Sequence, residues 1–155
     1  MITSPRILDR ALGILAGDHE VWRSLEASLE GFTRALRATP VDESDEAAAS
    51  RTYVRMLAEA GLLRWVVFGA FGGAAPALLS TPICLIRQWL SRESGALDTA
   101  FVMQGLGSNP VTMAGPESLR QALLPRVAAG AAICAFALTE PEAGSDSKNM
   151  RTSAT

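Results

Sequence analysis

Ala135-Phe136-Ala137-Leu138-Thr139-Glu140-Pro141-Glu142-Ala143-Gly144-Ser145-Asp146 changes character half-way along. Its first half closes an uncharged run, Ile133 to Leu138, whose apolar continuity predicts a short buried strand. Pro141 ends such a strand because it has no N–H to give to a ladder, and Gly144 permits the backbone a positive φ. Gly144 and Ser145 therefore fall on a turn at a strand end. A glycine there lets the backbone come close to a ligand, and the next residue offers a hydroxyl and an N–H to phosphate-type oxygens.

Upstream of this stretch the sequence reads as helices joined by short turns. Ile7, Leu8, Ala11, Leu12 and Leu15 recur at helical spacing after Pro5, and Val21, Trp22, Leu25, Leu29, Phe32 and Leu36 do so up to Thr39-Pro40. The acidic run Asp42 to Glu46 leads into Tyr53, Val54, Leu57 and Ala58 before Gly61. Its charges are read as a helix N-terminus, where the macrodipole favours them, rather than as an interaction tail, which needs a longer block of charge. Thr81 to Ser94 is bounded by a Thr-Pro start and by Gly95, with Ile83, Leu85, Ile86, Trp89 and Leu90 forming a wide apolar face that predicts burial. Further helices are expected over Asp98 to Leu106, Pro110 to Ala114 and Pro116 to Leu124, the last with Leu119, Leu123 and Leu124 inward. A lone strand leaves N–H and C=O groups unpaired on both sides. The expected fold is thus an all-α bundle with one strand and turn appended, a strand still lacking its partners.

Composition excludes several function classes. With 155 residues, 48% hydrophobic and 19% charged, the chain is long and apolar enough to bury a core. The thirteen arginines are scattered from Arg6 to Arg151 with the single lysine Lys148, so no basic stripe of the kind nucleic acid requires is present. Cys84 and Cys134 both lie in apolar runs and read as reduced core thiols rather than a disulfide or metal pair. The amino terminus lacks the charged head, apolar stretch and cleavage site of a signal peptide. Trp65 to Ile86 is free of charge over 22 residues, enough to span a bilayer, but Gly69, Gly72, Gly73, Pro76 and Pro82 interrupt it. The expectation is a buried loop feeding a buried helix in a cytoplasmic protein, without membrane insertion.

The stretch also carries a family likeness. Thr139 to Asp146 matches without a gap the Thr-Glu-Pro-x-Ala-Gly-Ser-Asp run with which acyl-CoA dehydrogenases open their middle β domain, and Thr152-x-Ala154 matches a later element of that pattern. Ala114-Gly115-Pro116-Glu117 and Leu124 to Gly130 resemble the helix and turn that precede the strand in this family. Trp65-Val66-Val67 and Phe71-Gly72-Gly73 extend the likeness thinly, with Phe68 where a proline is more usual, and residues 1 to 50 match nothing specific. The resemblance implies an N-terminal helical domain over residues 1–131 and, over 132–155, the beginning of an FAD-binding β-barrel domain.

It also implies roles. The residue matching Thr139 hydrogen-bonds the flavin ring, those matching Phe136 and Leu138 line it, and those matching Gly144 and Ser145 meet the FAD pyrophosphate. Ser145 is further implied in contacting the acyl-CoA substrate, and Phe136 stands where many relatives carry tyrosine, so a contact through a phenol oxygen is lost. The implied reaction is α,β-dehydrogenation of an acyl-CoA thioester, with electrons passed on to an electron-transfer flavoprotein by a homodimer or homotetramer. Relatives on the same scaffold are oxidases or monooxygenases, and from a different class a non-enzymatic or partner-dependent helical module fits a chain with so little of a flavin site.

Glu140 and Asp146, two carboxylates flanking a turn, are not assigned as catalytic acids. The resemblance makes Glu140 part of the turn's architecture and puts the base in a C-terminal domain beyond this chain, so no catalytic residue and no metal ligand is expected here. His19, the one histidine, has neither a cysteine nor a serine partner in any recognisable arrangement and reads as a solvated helix-start residue. Gln104-Gly105-Leu106-Gly107 contains a Gly-x-Gly, but it follows a helix and lacks the third glycine of a dinucleotide fingerprint. It reads as a helix end, with Asn109 capping the next helix before Pro110.

Overall fold

The computed structural model describes residues 19–153. The expected helix over Ile7 to Leu15, and Ala154 of the Thr-x-Ala match, lie outside the described residues. Five helices follow one another: α1 (His19–Ala38), α2 (Glu46–Glu59), α3 (Ser80–Leu90), α4 (Gly95–Ala114) and α5 (Glu117–Ala128). Two short 3-10 turns, Leu62–Val66 and Gly69–Phe71, join α2 to α3. The all-α bundle is present as the apolar spacing predicts.

Several helix ends have identifiable causes, although α3 and α5 start without a side-chain cap. Asp45 caps α2 by accepting the Ala48 N–H, and Gly61, at φ 71°, turns the chain out of the helix. Asp42 accepts the Ser44 N–H, so the acidic run does sit at a helix N-terminus. α3 starts at Ser80, with Pro82 buried in its first turn, where a missing N–H costs nothing. It stops at Leu90, short of the predicted Ser94, because Ser94 is committed to the next helix: its hydroxyl accepts the N–H groups of Ala96 and Leu97.

α4 differs most from expectation. The sequence predicts a break at Gly105 to Asn109, yet the helix runs unbroken from Gly95 to Ala114 with Pro110 inside it. Packing overrides the local signals here: Leu97, Ala100, Phe101, Gln104 and Ser108 line one buried face and hold both halves of the helix on the core. The glycines serve close approach rather than termination. A Cβ on Gly105 would lie 3.1 Å from the Val66 side chain, and one on Gly107 would lie 2.8 Å from the Ala135 carbonyl oxygen.

The core has two parts. The larger gathers Trp22, Leu25, Leu29, Phe32 and Leu36 of α1 with Tyr53, Val54 and Leu57 of α2, Ile86 and Leu90 of α3, and Leu97 and Phe101 of α4. The smaller joins Val67 to Leu124, Val127 and Ala128 of α5, and Ala132 and Cys134 pack on it. Leu119, expected inward, is exposed, because α5 turns Leu124, Val127 and Ala128 to the bundle instead. Cys84 is likewise exposed and not a core thiol, while Cys134 is half-buried and its thiol pKa is raised by that burial. Polar ties pin the helices laterally. Trp89 Nε1 donates to Thr33 Oγ1 at 2.8 Å, and Glu43 accepts the Tyr53 hydroxyl at 2.5 Å together with the Ser94 hydroxyl.

Among the described residues no helix is long and apolar enough to cross a membrane. The charge-free run 65–86 is divided among the Leu62–Val66 turn, the Gly69–Phe71 turn and the start of α3.

Candidate functional site

α5 ends at a left-handed glycine that aims the chain into the candidate site. Gly130, at φ 67°, donates to the Val127 carbonyl, and the N–H groups of Ala131 and Ala132 both reach the Arg126 carbonyl. A Cβ at 130 would come within 2.5 Å of Ala58 Cβ, so the turn also nests against α2.

The run that follows is the one predicted as a buried strand, and here the structure corrects the sequence reading. Residues 133–139 form no strand, and Ile133, Phe136 and Leu138 are 53%, 40% and 37% exposed. A ladder needs a neighbour, and no second strand exists among the described residues to supply one. The run touches the bundle at its start. Cys134 N–H donates to Gln104 Oε1 at 3.0 Å, and Gln104 Nε2 donates to the Ala100 carbonyl at 3.1 Å.

The chain turns after the run, but at Glu140 to Ala143, and Gly144 just beyond does not take the positive φ that the sequence reading allowed it. Glu140 and Ala143 pair through both backbone hydrogen bonds, Glu140 N–H to Ala143 O at 2.8 Å and Ala143 N–H to Glu140 O at 3.2 Å, with Pro141 and Glu142 at the tip. Ala143, the closing residue of the turn, is buried. The Glu140 carboxylate then spans the loop. Oε2 accepts the Arg151 N–H at 2.7 Å and Oε1 accepts the Thr152 N–H at 2.8 Å, which closes residues 140–152 into a ring. The Arg151 amide, and then Thr152, hold the Glu140 carboxyl below its ordinary range. Glu140 is thus occupied with backbone, as the reading of it as turn architecture requires. Asp146 accepts the Asn149 side-chain amide and, through its carbonyl, the Asn149 N–H.

The candidate ligand residues stand on the outside of this frame. Phe136, Leu138, Thr139, Gly144 and Ser145 are all exposed, and the Thr139 and Ser145 hydroxyls have no partner among the described residues. A Cβ built on Gly144 would meet nothing within 4 Å. The chemistry displayed is therefore two free hydroxyls, an open glycine backbone and two uncovered apolar side chains within ten residues. No cluster of His, Cys, Asp and Glu able to hold a metal occurs among the described residues. His19 opens α1. Sequence reasoning gave Gln104 and Gly107 no role in this region. The usable signal was a glutamine and a serine, 104 and 108, recurring on the helix face of Leu97 and Phe101, where buried amides need partners.

A family model described as "Acyl-CoA dehydrogenase, N-terminal domain" matches residues 20–131. The chain belongs to the acyl-CoA dehydrogenase family. Relatives include an acyl-CoA dehydrogenase of Bacillus subtilis, 32% identical over 65% of this chain and 26% of its own length. The mitochondrial isovaleryl-CoA dehydrogenase of Bos taurus is 30% identical over 87% of this chain and 32% of its own length. A probable acyl-CoA dehydrogenase of Mycobacterium tuberculosis is 29% identical over 90% of this chain and 35% of its own length. The chain thus spans roughly a third or less of the relatives it matches. Within the family, the bundle described above corresponds to the N-terminal helical domain.

Proposed function

We propose that this chain is the N-terminal part of a flavoprotein that removes two hydrogens across the α,β bond of an acyl-CoA thioester, with 139–145 as its contribution to the FAD site. One observation carries the reading: a carboxylate-clasped loop presents free Thr139 and Ser145 hydroxyls and an open Gly144 beside exposed Phe136 and Leu138. This set suits a dinucleotide with a flat aromatic end and an anionic middle, which needs polar donors for its phosphates and apolar walls for its ring.

Each residue then has a defined task. The Thr139 hydroxyl hydrogen-bonds the polar edge of the ring, and Phe136 and Leu138 cover it and keep water away. Gly144 N–H and the Ser145 N–H and hydroxyl meet the pyrophosphate, with Ser145 also against the acyl-CoA. FAD, when bound, supplies the hydride acceptor. Glu140 serves the turn rather than proton abstraction, a role supported by the Arg151 and Thr152 amides that hold its two oxygens. The base belongs to residues outside this chain. Residues 1–131 act as the helical domain and 132–155 as the beginning of the β domain, a division supported by the family match over 20–131 and by the left-handed turn at Gly130. The relatives' names support acyl-CoA as substrate. Transfer of electrons to an electron-transfer flavoprotein, assembly as a homodimer or homotetramer and a cytoplasmic setting complete the proposal.

Titration of the 155-residue chain with FAD, followed by amide shifts, tests it. One turn supplies a fraction of a dinucleotide's contacts, so saturable responses at Phe136, Thr139, Gly144 and Ser145 are expected with a Kd on the order of 1 mM. Ser145→Ala should weaken them by about 0.5–1.5 kcal/mol, the size of one ordinary hydrogen bond. Responses scattered over the bundle, or absent from these four residues, would overturn the assignment.

A further inference from the structure

Residues 133–139 carry three of the proposed flavin contacts, yet their backbone makes a single hydrogen bond to the bundle among the described residues, Cys134 N–H to Gln104 Oε1. The acceptor is unusual for its surroundings. Gln104 is 1% exposed, lies on the apolar face of α4 with Leu97 and Phe101, and has its amide nitrogen spent on the Ala100 carbonyl of its own helix. That second bond fixes which way the amide faces, leaving the oxygen aimed at the incoming chain. One turn further on, α4 gives up its side chain. A Cβ on Gly107 would lie 2.8 Å from both the Ala135 oxygen and Cys134 Cβ, distances that real Cβ atoms do not show. An acceptor and a notch therefore meet the same two residues, Cys134 and Ala135, from one helix. Local helix formation asks for neither, since glycine in a helix interior is unfavourable and a buried amide requires a partner.

We infer that Gln104 and Gly107 are positioning residues: together they register the run bearing Phe136, Leu138 and Thr139 against α4, and so set where the ring end of the flavin site stands. The inference rests on the flavin reading above. It separates two parts of the site by how they are held. Gly144 and Ser145 sit in the ring closed by Glu140 and do not need Gln104, whereas Phe136 and Thr139 hang between the Gln104 contact and the Glu140 turn.

The test uses the 155-residue chain with two variants. Gln104→Leu removes the acceptor and keeps an apolar side chain of similar length in a buried place. Gly107→Ala fills the notch and favours helix, so neither is expected to unfold the bundle. In Gln104→Leu the Cys134 amide should exchange about fivefold to tenfold faster, with the amides of Leu57, Leu63 and Leu90 unchanged. In both variants the FAD-induced shifts at Phe136 and Thr139 should shrink by at least about threefold, while those at Gly144 and Ser145 persist. A structural role alone would move both sets or neither. Unchanged Cys134 exchange in Gln104→Leu, or equal loss at all four residues, overturns the inference. If the wild-type chain shows no FAD response at these residues, the flavin reading fails and the ring-positioning role fails with it. Cys134 exchange then shows separately whether Gln104 still holds the run.

Discussion

At the scale of single residues, two acids do quiet work that pH can expose. Glu140 holds the 140–152 loop through the amides of Arg151 and Thr152, which favour its ionised form and depress its pKa. A depressed carboxyl contributes closure that is fully present above its unfolded pKa, about 4.3, and is lost as pH falls through the folded value. Acidification below about pH 4 should therefore release the Arg151 and Thr152 amides, read as a change in their shifts and exchange, while helical circular dichroism persists. Glu140→Gln should flatten that response. Tyr53 behaves in the opposite sense. Burial, with the hydrogen bond to Glu43, pushes its hydroxyl up to about 12 from 10.0, so the neutral phenol stabilises the fold below pH 10 and the contribution drains away as pH rises toward 12. Tyr53→Phe should cost about 0.5–1.5 kcal/mol at neutral pH and remove this alkaline loss, both measurable by denaturant unfolding. Ser94 would still hold Glu43 in that variant.

At the scale of elements, the joint between α5 and the run decides whether the candidate site is aimed at all. Gly130 combines a positive φ with a near contact to Ala58 Cβ, so Gly130→Ala meets two penalties. The left-handed backbone alone costs about 1–2 kcal/mol. A loss of at least that size in chemical denaturation is expected, with disturbed amide shifts at Ala131 and Ala132, whose N–H groups close the turn on Arg126. Stability unchanged by the substitution would mean the turn can relax away from α2. α4 shows the converse case, an element kept whole against its own composition. Pro110 and two glycines read locally as a break, and the buried face from Leu97 to Ser108 keeps the helix continuous.

At the scale of the whole molecule, the run that leaves the bundle carries uncovered apolar surface. Ile133, Phe136 and Leu138 are exposed there, with Leu106 and Met113 on α4. The isolated 155-residue chain should be helical, purify without stoichiometric flavin and self-associate as concentration rises, since free backbone edges and apolar side chains recruit one another. Sedimentation velocity and binding of an apolar dye check this, and the double variant Phe136→Ser with Leu138→Ser should reduce both signals. A monodisperse monomer indifferent to the dye would count against it.

Helix periodicity, caps and turn chemistry are local, and for that reason the sequence alone determined the all-α bundle and the presence of a turn after Leu138. Asp45 and Gly61 bound α2 as their chemistry dictates, and Pro141 stands at the tip of the turn that ends the apolar run. What depends on neighbours could not be read along the chain. Whether Ile133 to Leu138 is a strand turns on a partner strand, whether Gly105 and Gly107 end a helix turns on what packs across it, and whether Cys84 is buried turns on which face α3 offers the core. Only the tertiary structure decided these, because burial and ladder pairing are properties of residues brought together across the fold, such as Gln104 and Cys134, thirty positions apart.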